Sequence, residues 1–201
     1  MSDLCGMSAP RLSRRSPAIA LQTPEGLLSA IHAKGSYLCV GLDPDPAKIP
    51  AAFGAGVEGM EAFCLAMVKA TQHVAVAYKP NLAFFEQYGA AGWAALERVV
   101  EQIPSDVLVI ADAKRGDIGN TATRYARAMF EGLGADAVTV VPYMGRDSIE
   151  PFTAFEGRWT ILLALTSNPG AEDFEFHGDR PLYREVLRKS QTFQGAQRLM
   201  F

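Results

Sequence analysis

Five short apolar runs, separated by stretches with helical periodicity, constrain this chain more than any other feature. The runs occupy residues 37–42, 74–78, 107–112, 137–141 and 160–165, and polar residues close most of them. Their apolar character is close to continuous, as expected of strands buried on both faces. Between them, residues 58–73, 82–103 and 118–133 read as helices, the second interrupted around Gly89 or Gly92, and a shorter helix follows Asp147. An earlier helix opens at Thr23-Pro24-Glu25 with a cap, a first-turn proline and an acid at the positive dipole end. It should stop near Gly35. A last helix begins near Pro181. Strands that alternate with helices pair in parallel and give an α/β fold. Five such units complete a doubly wound open sheet. A (β/α)8 barrel typically needs ~250 residues, against 201 here. The pattern leaves both architectures open, and length favours the open sheet.

Composition narrows the function class. Net charge is −3, which offers no footprint for nucleic acid. No apolar run approaches the ~20 residues of a membrane helix. Cys5, Cys39 and Cys64 form an odd set without paired spacing, which fits a reducing cytoplasm rather than a disulfide scaffold. Neither they nor His32, His73 and His177 cluster at ligand spacing, so no metal site is predicted. Residues 1–22 carry Arg11, Arg14 and Arg15 without the apolar core of a secretory signal, and read as a disordered N-terminal arm. Residues 23–201 show no linker and read as one domain.

The polar residues at the strand ends point to chemistry. Asp112 and Lys114 follow Val107-Leu108-Val109-Ile110, two apart and therefore on one side of the strand. Asp117 and Ile118 lie just beyond. Asp43 follows the first run, Lys79 and Asn81 the second, and Ser167 and Asn168 the fifth. Singly, each is a cap or a rim salt bridge. Together they place two lysines among carboxylates on the rim where α/β folds carry their sites. Such an array suits a lysine that delivers a proton to a carbanion.

The chain resembles orotidine 5′-phosphate decarboxylases, in the bacterial subgroup with the stretch Tyr78-Lys79-Pro80-Asn81-Leu82-Ala83-Phe84-Phe85-Glu86. Asp112, Lys114 and Asp117 match that family's Asp-x-Lys-x-x-Asp signature, which sister enzymes share. Further likeness lies in Gly41-Leu42-Asp43-Pro44-Asp45, in Pro142-Tyr143-Met144-Gly145-Arg146-Asp147-Ser148, and in Thr166-Ser167-Asn168-Pro169-Gly170. The resemblance implies a (β/α)8 barrel and cofactor-free decarboxylation of orotidine 5′-phosphate to UMP in the cytoplasm. It implies that Lys114 protonates C6 of the pyrimidine, that Asp112 sits beside the substrate carboxylate, and that Lys79 links the ribose to the charge array. Asp43 and Asn81 are expected at the substrate, and Ser167 at the pyrimidine edge. Asp117, Ile118 and Thr121 are expected to reach into the neighbouring subunit's site in a homodimer. No metal, flavin or pyridoxal is implied.

About five of eight βα units are accounted for, with Leu199-Met200-Phe201 opening a sixth. The chain is therefore expected to be truncated at its C-terminus. In the family the phosphate grip follows strands seven and eight, and remote binding of this kind supports transition-state stabilisation at the reacting centre. Its loss is expected to lower turnover sharply. Two rival readings remain. One is a metal-dependent sugar-phosphate aldolase or decarboxylase of the same barrel superfamily, which calls for an acid where Lys79 stands. The other is a non-catalytic fragment that keeps only the dimer face.

Overall fold

A computed structural model describes residues 18–201 of the protein. In chain order it contains α1 (Pro24–Lys34), β1 (Cys39–Leu42), α2 (Gly56–Thr71), β2 (Ala77–Pro80), α3 (Leu82–Glu86), α4 (Gly89–Glu101) and β3 (Leu108–Arg115). There follow α5 (Gly119–Arg127), β4 (Ala137–Val140), α6 (Arg146–Thr153), β5 (Trp159–Leu162), α7 (Ala171–Phe174), α8 (Leu182–Ser190) and β6 (Leu199–Met200). The first helix begins and ends where its sequence dictates. The Thr23 hydroxyl accepts the Gly26 amide at 3.1 Å, and Gly35 takes the left-handed conformation at φ 56°. Several details differ from expectation, among them the fifth strand, which ends at Leu162 rather than residue 165. The second strand starts at Ala77, not residue 74, because it pairs with β1 from Cys39↔Ala77 to Leu42↔Pro80. This places Lys79 inside the strand. The helix expected over 118–133 ends at Arg127 and continues as a π-helical turn, Ala128–Gly132. The four-residue α7 carried no clear sequence signal.

The sheet order is β1-β2-β3-β4-β5-β6, and all five pairings are parallel. A doubly wound sheet needs a point where strand order reverses. This sheet has none, and each strand lies beside its neighbours in sequence, as in a (β/α)8 barrel. The described residues thus form an incomplete barrel of six strands.

Strand periodicity sorts the apolar side chains onto two faces. Val40, Leu42, Tyr78, Val109, Ala111, Val138 and Val140 face the helices and share one core with Met60, Phe85, Leu96, Phe130 and Phe152. Each large apolar side chain buried there contributes about 1.5–3 kcal/mol relative to exposure. Residues of opposite parity, Ala77, Leu108, Ile110, Ala137 and Trp159, form a second cluster on the inner face with Ala18 and Leu21. The chain leading into α1 is fastened there. The Ala18 amide donates to Asp136 Oδ1 at 2.9 Å, and the Trp159 indole N–H donates to the Leu21 carbonyl at 2.8 Å. The arm expected to be disordered through residue 22 is therefore packed from Ala18 onward, because these buried groups find partners in the sheet. The rest of that expected arm, residues 1–17, lies outside the described residues, as does Cys5. Among the described residues no helix is long and apolar enough to cross a membrane.

Candidate active site

The inner-face parity that buries Leu108 and Ile110 carries on along β3 to Asp112 and Lys114. On β2 it leads from Ala77 to Lys79 and then to Asn81, which bridges to Asp112 just beyond the named strand. The same rule that fills the barrel's interior with apolar side chains therefore delivers charges at its carboxyl end. There the three charged groups meet. Asp112 is only 7% exposed. Its Oδ1 accepts from Lys114 Nζ at 2.6 Å, and its Oδ2 accepts from Lys79 Nζ at 3.0 Å. Burial pushes the Asp112 carboxyl up, but the ammoniums of Lys114 and Lys79 outweigh it and hold the group below the usual carboxylate range. Lys114 keeps its side chain about half exposed, at 53%, so its ammonium is anchored by Asp112 and open to a ligand.

The backbone at the array is strained. Lys114 has φ 47°, alone among the described non-glycine residues in being positive. A left-handed conformation of this kind costs of order 1–3 kcal/mol and persists where surrounding structure over-determines it. Gly116 lets the following loop pass β4, since a Cβ there would lie 2.3 Å from Val141 Cγ2. Arg115 reaches back to Glu86 at the end of α3 as an ion pair. Its guanidinium also lies 5.6 Å from the Tyr125 ring centroid and donates to the Ala113 carbonyl at 3.3 Å. The two motifs of the sequence are thus joined directly, from the strand-two stretch to the strand-three stretch.

The remaining predicted residues are distributed around this centre. Asn81 accepts the Ala83 amide at 3.2 Å and caps α3. Asp43 is exposed at the end of β1. Ser167 is exposed after β5, in a turn held by the Thr166 hydroxyl donating to Glu175 Oε1 at 2.8 Å. Asp117 accepts the amide of Ile118 at 2.8 Å, and Ile118 and Thr121 are exposed at the start of α5. Lys79, Asp112 and Lys114 are in direct contact, and the others lie outside that hydrogen-bonded cluster. Sequence reasoning passed over Thr139, which is buried at 5% exposure. Its hydroxyl donates to Asp112 Oδ1 at 3.1 Å. The available signal was a hydroxyl inside the apolar run 137–141, at inner-face parity.

Fold and site together define a class: an enzyme of (β/α) barrel type with a lysine–carboxylate array at the carboxyl rim. Residues 36–196 match the Orotidine 5'-phosphate decarboxylase / HUMPS family, and the chain belongs to that family. It is 50% identical over 184 residues to the orotidine 5'-phosphate decarboxylase of Flavobacterium johnsoniae, covering 89% of this chain and 67% of the relative. Relatives of that name are carboxy-lyases. Among solved structures, Leishmania donovani OMP decarboxylase superposes with a TM-score of 0.76 at 37% identity, over 86% of this chain and 68% of that one. Leishmania donovani UMP synthase superposes with a TM-score of 0.78 at 39% identity, over 88% of this chain and 38% of that one. The chain spans about two thirds of the length of its curated relatives.

Proposed function

We propose that the array of Lys79, Asp112 and Lys114 is the reacting centre for cofactor-free decarboxylation of orotidine 5′-phosphate to UMP, the closing step of pyrimidine nucleotide synthesis. The observation that carries this reading is the clamp itself: one buried carboxylate bonded through its two oxygens to two lysines, one of them half exposed. In the reaction the bond from C6 to the carboxylate breaks and its electron pair stays on C6. Carbon dioxide leaves, and the Lys114 ammonium gives a proton to C6. Solvent then restores the lysine. Asp112 holds the ammonium at the reacting atom and stands beside the departing carboxylate. Lys79 completes the alternation of charge and reaches the ribose. Asp43 and Asn81 contribute to binding the sugar, and Ser167 bonds the pyrimidine edge.

Ile118 and Thr121 are exposed at the rim, and with Asp117 they remain available to a second copy. We assign them to the neighbour's site in a homodimer with shared sites. We place the enzyme in the cytoplasm, in keeping with the free thiols of Cys39 and Cys64. The sugar-phosphate aldolase reading is not favoured, because Lys79 stands at the end of β2 where that chemistry calls for an acid, and it donates to Asp112.

The test follows UMP formation spectrophotometrically. The chain should convert orotidine 5′-phosphate without added metal and in the presence of a chelator, and in heavy water the product should carry deuterium at C6. Lys114→Ala should abolish turnover while leaving the cooperative melt in place. Retention of most activity in K114A would refute the role given to Lys114, and activity that depends on a divalent metal would favour the aldolase class.

A further inference from the structure

The pairing of β3 with β4 is irregular where the site lies. Its register runs from Ala111↔Val138 directly to Arg115↔Val140, so Asp112, Ala113 and Lys114 together face the single residue Thr139. Beyond the irregularity the ladder resumes, with the Val141 amide donating to the Arg115 carbonyl at 2.9 Å. A bulge of this kind leaves strand amides without ladder partners. Here one side chain takes them. Thr139 Oγ1 accepts the Ala113 amide at 2.9 Å and the Lys114 amide at 2.8 Å. The same hydroxyl donates its proton to Asp112 Oδ1 at 3.1 Å. A hydroxyl has one donor and two acceptor sites, and all three are engaged on consecutive residues of the array.

We propose that Thr139 is the positioning residue of the reacting centre, holding the left-handed backbone of Lys114 and the carboxylate of Asp112 in one geometry. The inference rests on the decarboxylase reading of the site. It explains why a lysine can persist at φ 47°. The conformation directs two successive amides at one acceptor, and those bonds oppose the strain. It also explains how Asp112 presents Oδ1 to Lys114 and Oδ2 to Lys79, since the third bond resists rotation about the carboxyl axis. Serine can reproduce all three bonds. Valine, with nearly the same shape, can make none and leaves two amides without their acceptor.

The experiment compares the chain with Thr139→Val and Thr139→Ser, reading kcat and KM for orotidine 5′-phosphate and hydrogen exchange at the Ala113 and Lys114 amides. T139V should lower kcat by about 100-fold, the scale of a 1 Å misplacement at a reacting centre, with KM changed by less than about threefold. T139S should restore kcat to within about threefold of the parent. Exchange at the two amides should accelerate at least about tenfold in T139V and stay protected in T139S. If T139V does not melt cooperatively, Thr139→Ala carries the same comparison without the branched side chain. Equal kcat in valine and parent forms, or equal protection of the two amides, overturns the proposal. A parent chain without decarboxylase activity refutes the functional reading instead. In that case exchange decides the positioning claim alone: loss in T139V with retention in T139S upholds it, and any other pattern overturns it.

Discussion

Asp112→Asn is the substitution that most directly interrogates the site, because it keeps the shape of the side chain and removes only charge and one acceptor. An amide offers one oxygen. Oriented to keep the bonds from Lys114 and Thr139, it turns its NH2 towards Lys79 Nζ, and a 3.0 Å ion pair becomes a contact between donors. Oriented the other way, it keeps Lys79 and sets its NH2 against Lys114 Nζ, now 2.6 Å from the oxygen, and against Thr139. The first orientation costs less, since it sacrifices one bond and not two. A hydrogen bond to a charged group contributes about 1.5–3 kcal/mol. Lys79 and Lys114 have side-chain exposures of 35% and 53%, so both can recover hydration and the loss is smaller than for a fully buried pair. A net destabilisation of about 2 kcal/mol follows, which for a chain of this size lowers Tm by about 4–8 °C at pH 7. The pH dependence gives a second check. The Asp112 carboxyl is held below its ordinary range in the folded protein. Its contribution is therefore present above the unfolded value of about 4 and is lost as pH falls through the lower folded value. The gap in Tm between parent and D112N should narrow as pH drops below about 4. Turnover should fall at least about 100-fold, as when a preorganised electrostatic group is removed. Calorimetric melts at a series of pH values and the UMP assay measure all three. A D112N protein that melts within about 1 °C of the parent at pH 7, with a gap independent of pH, would refute these clamp energetics.

Two further substitutions test how the scaffold supports the site. Gly116→Ala introduces a Cβ at 2.3 Å from Val141 Cγ2, so the Val141 side chain, just after β4, or the loop must move. An overpacking cost of about 1–3 kcal/mol by urea denaturation is expected, with a fall in kcat because the same loop follows Lys114. Trp159→Phe removes the indole donor from the buried Leu21 carbonyl. Unpairing that carbonyl costs about 1–3 kcal/mol, which lowers the urea midpoint by about 1 M. Exchange at the Ala18 amide should accelerate with it, and an unchanged midpoint would show that the inner-face fastening is unimportant.

Much of the site was legible in the chain because strand parity and strand ends are local properties. The run at 107–112 announces a buried strand, and the two-residue spacing of Asp112 and Lys114 puts them on one side of it. The same parity explains Lys79, although the strand starts later than its apolar run suggests. Its limits are set by which residues pair with Cys39 and Leu42, not by hydropathy. Thr139 was hidden for a related reason. Nothing in Ala137-Val138-Thr139-Val140 announces that three residues of another strand will share its hydroxyl. Arg115 and Glu86 were visible as charges, but their pairing across 29 positions depends on how α3 packs beside β3.

The sequence by itself determined the α/β class, the limits of α1 and the identity of the charges that meet at the rim. Each follows from hydrophobic periodicity, capping chemistry and side-chain alternation within a few residues. Strand periodicity left barrel and doubly wound orders both open, the family resemblance implied the barrel, and the assembled strand order bears that out. Tertiary structure alone decided that Ala18 and Leu21 join the inner core, and that Lys114 takes a left-handed backbone held by Thr139. These outcomes depend on which segments lie side by side, and an amide without a ladder partner finds its acceptor only after the strands have assembled.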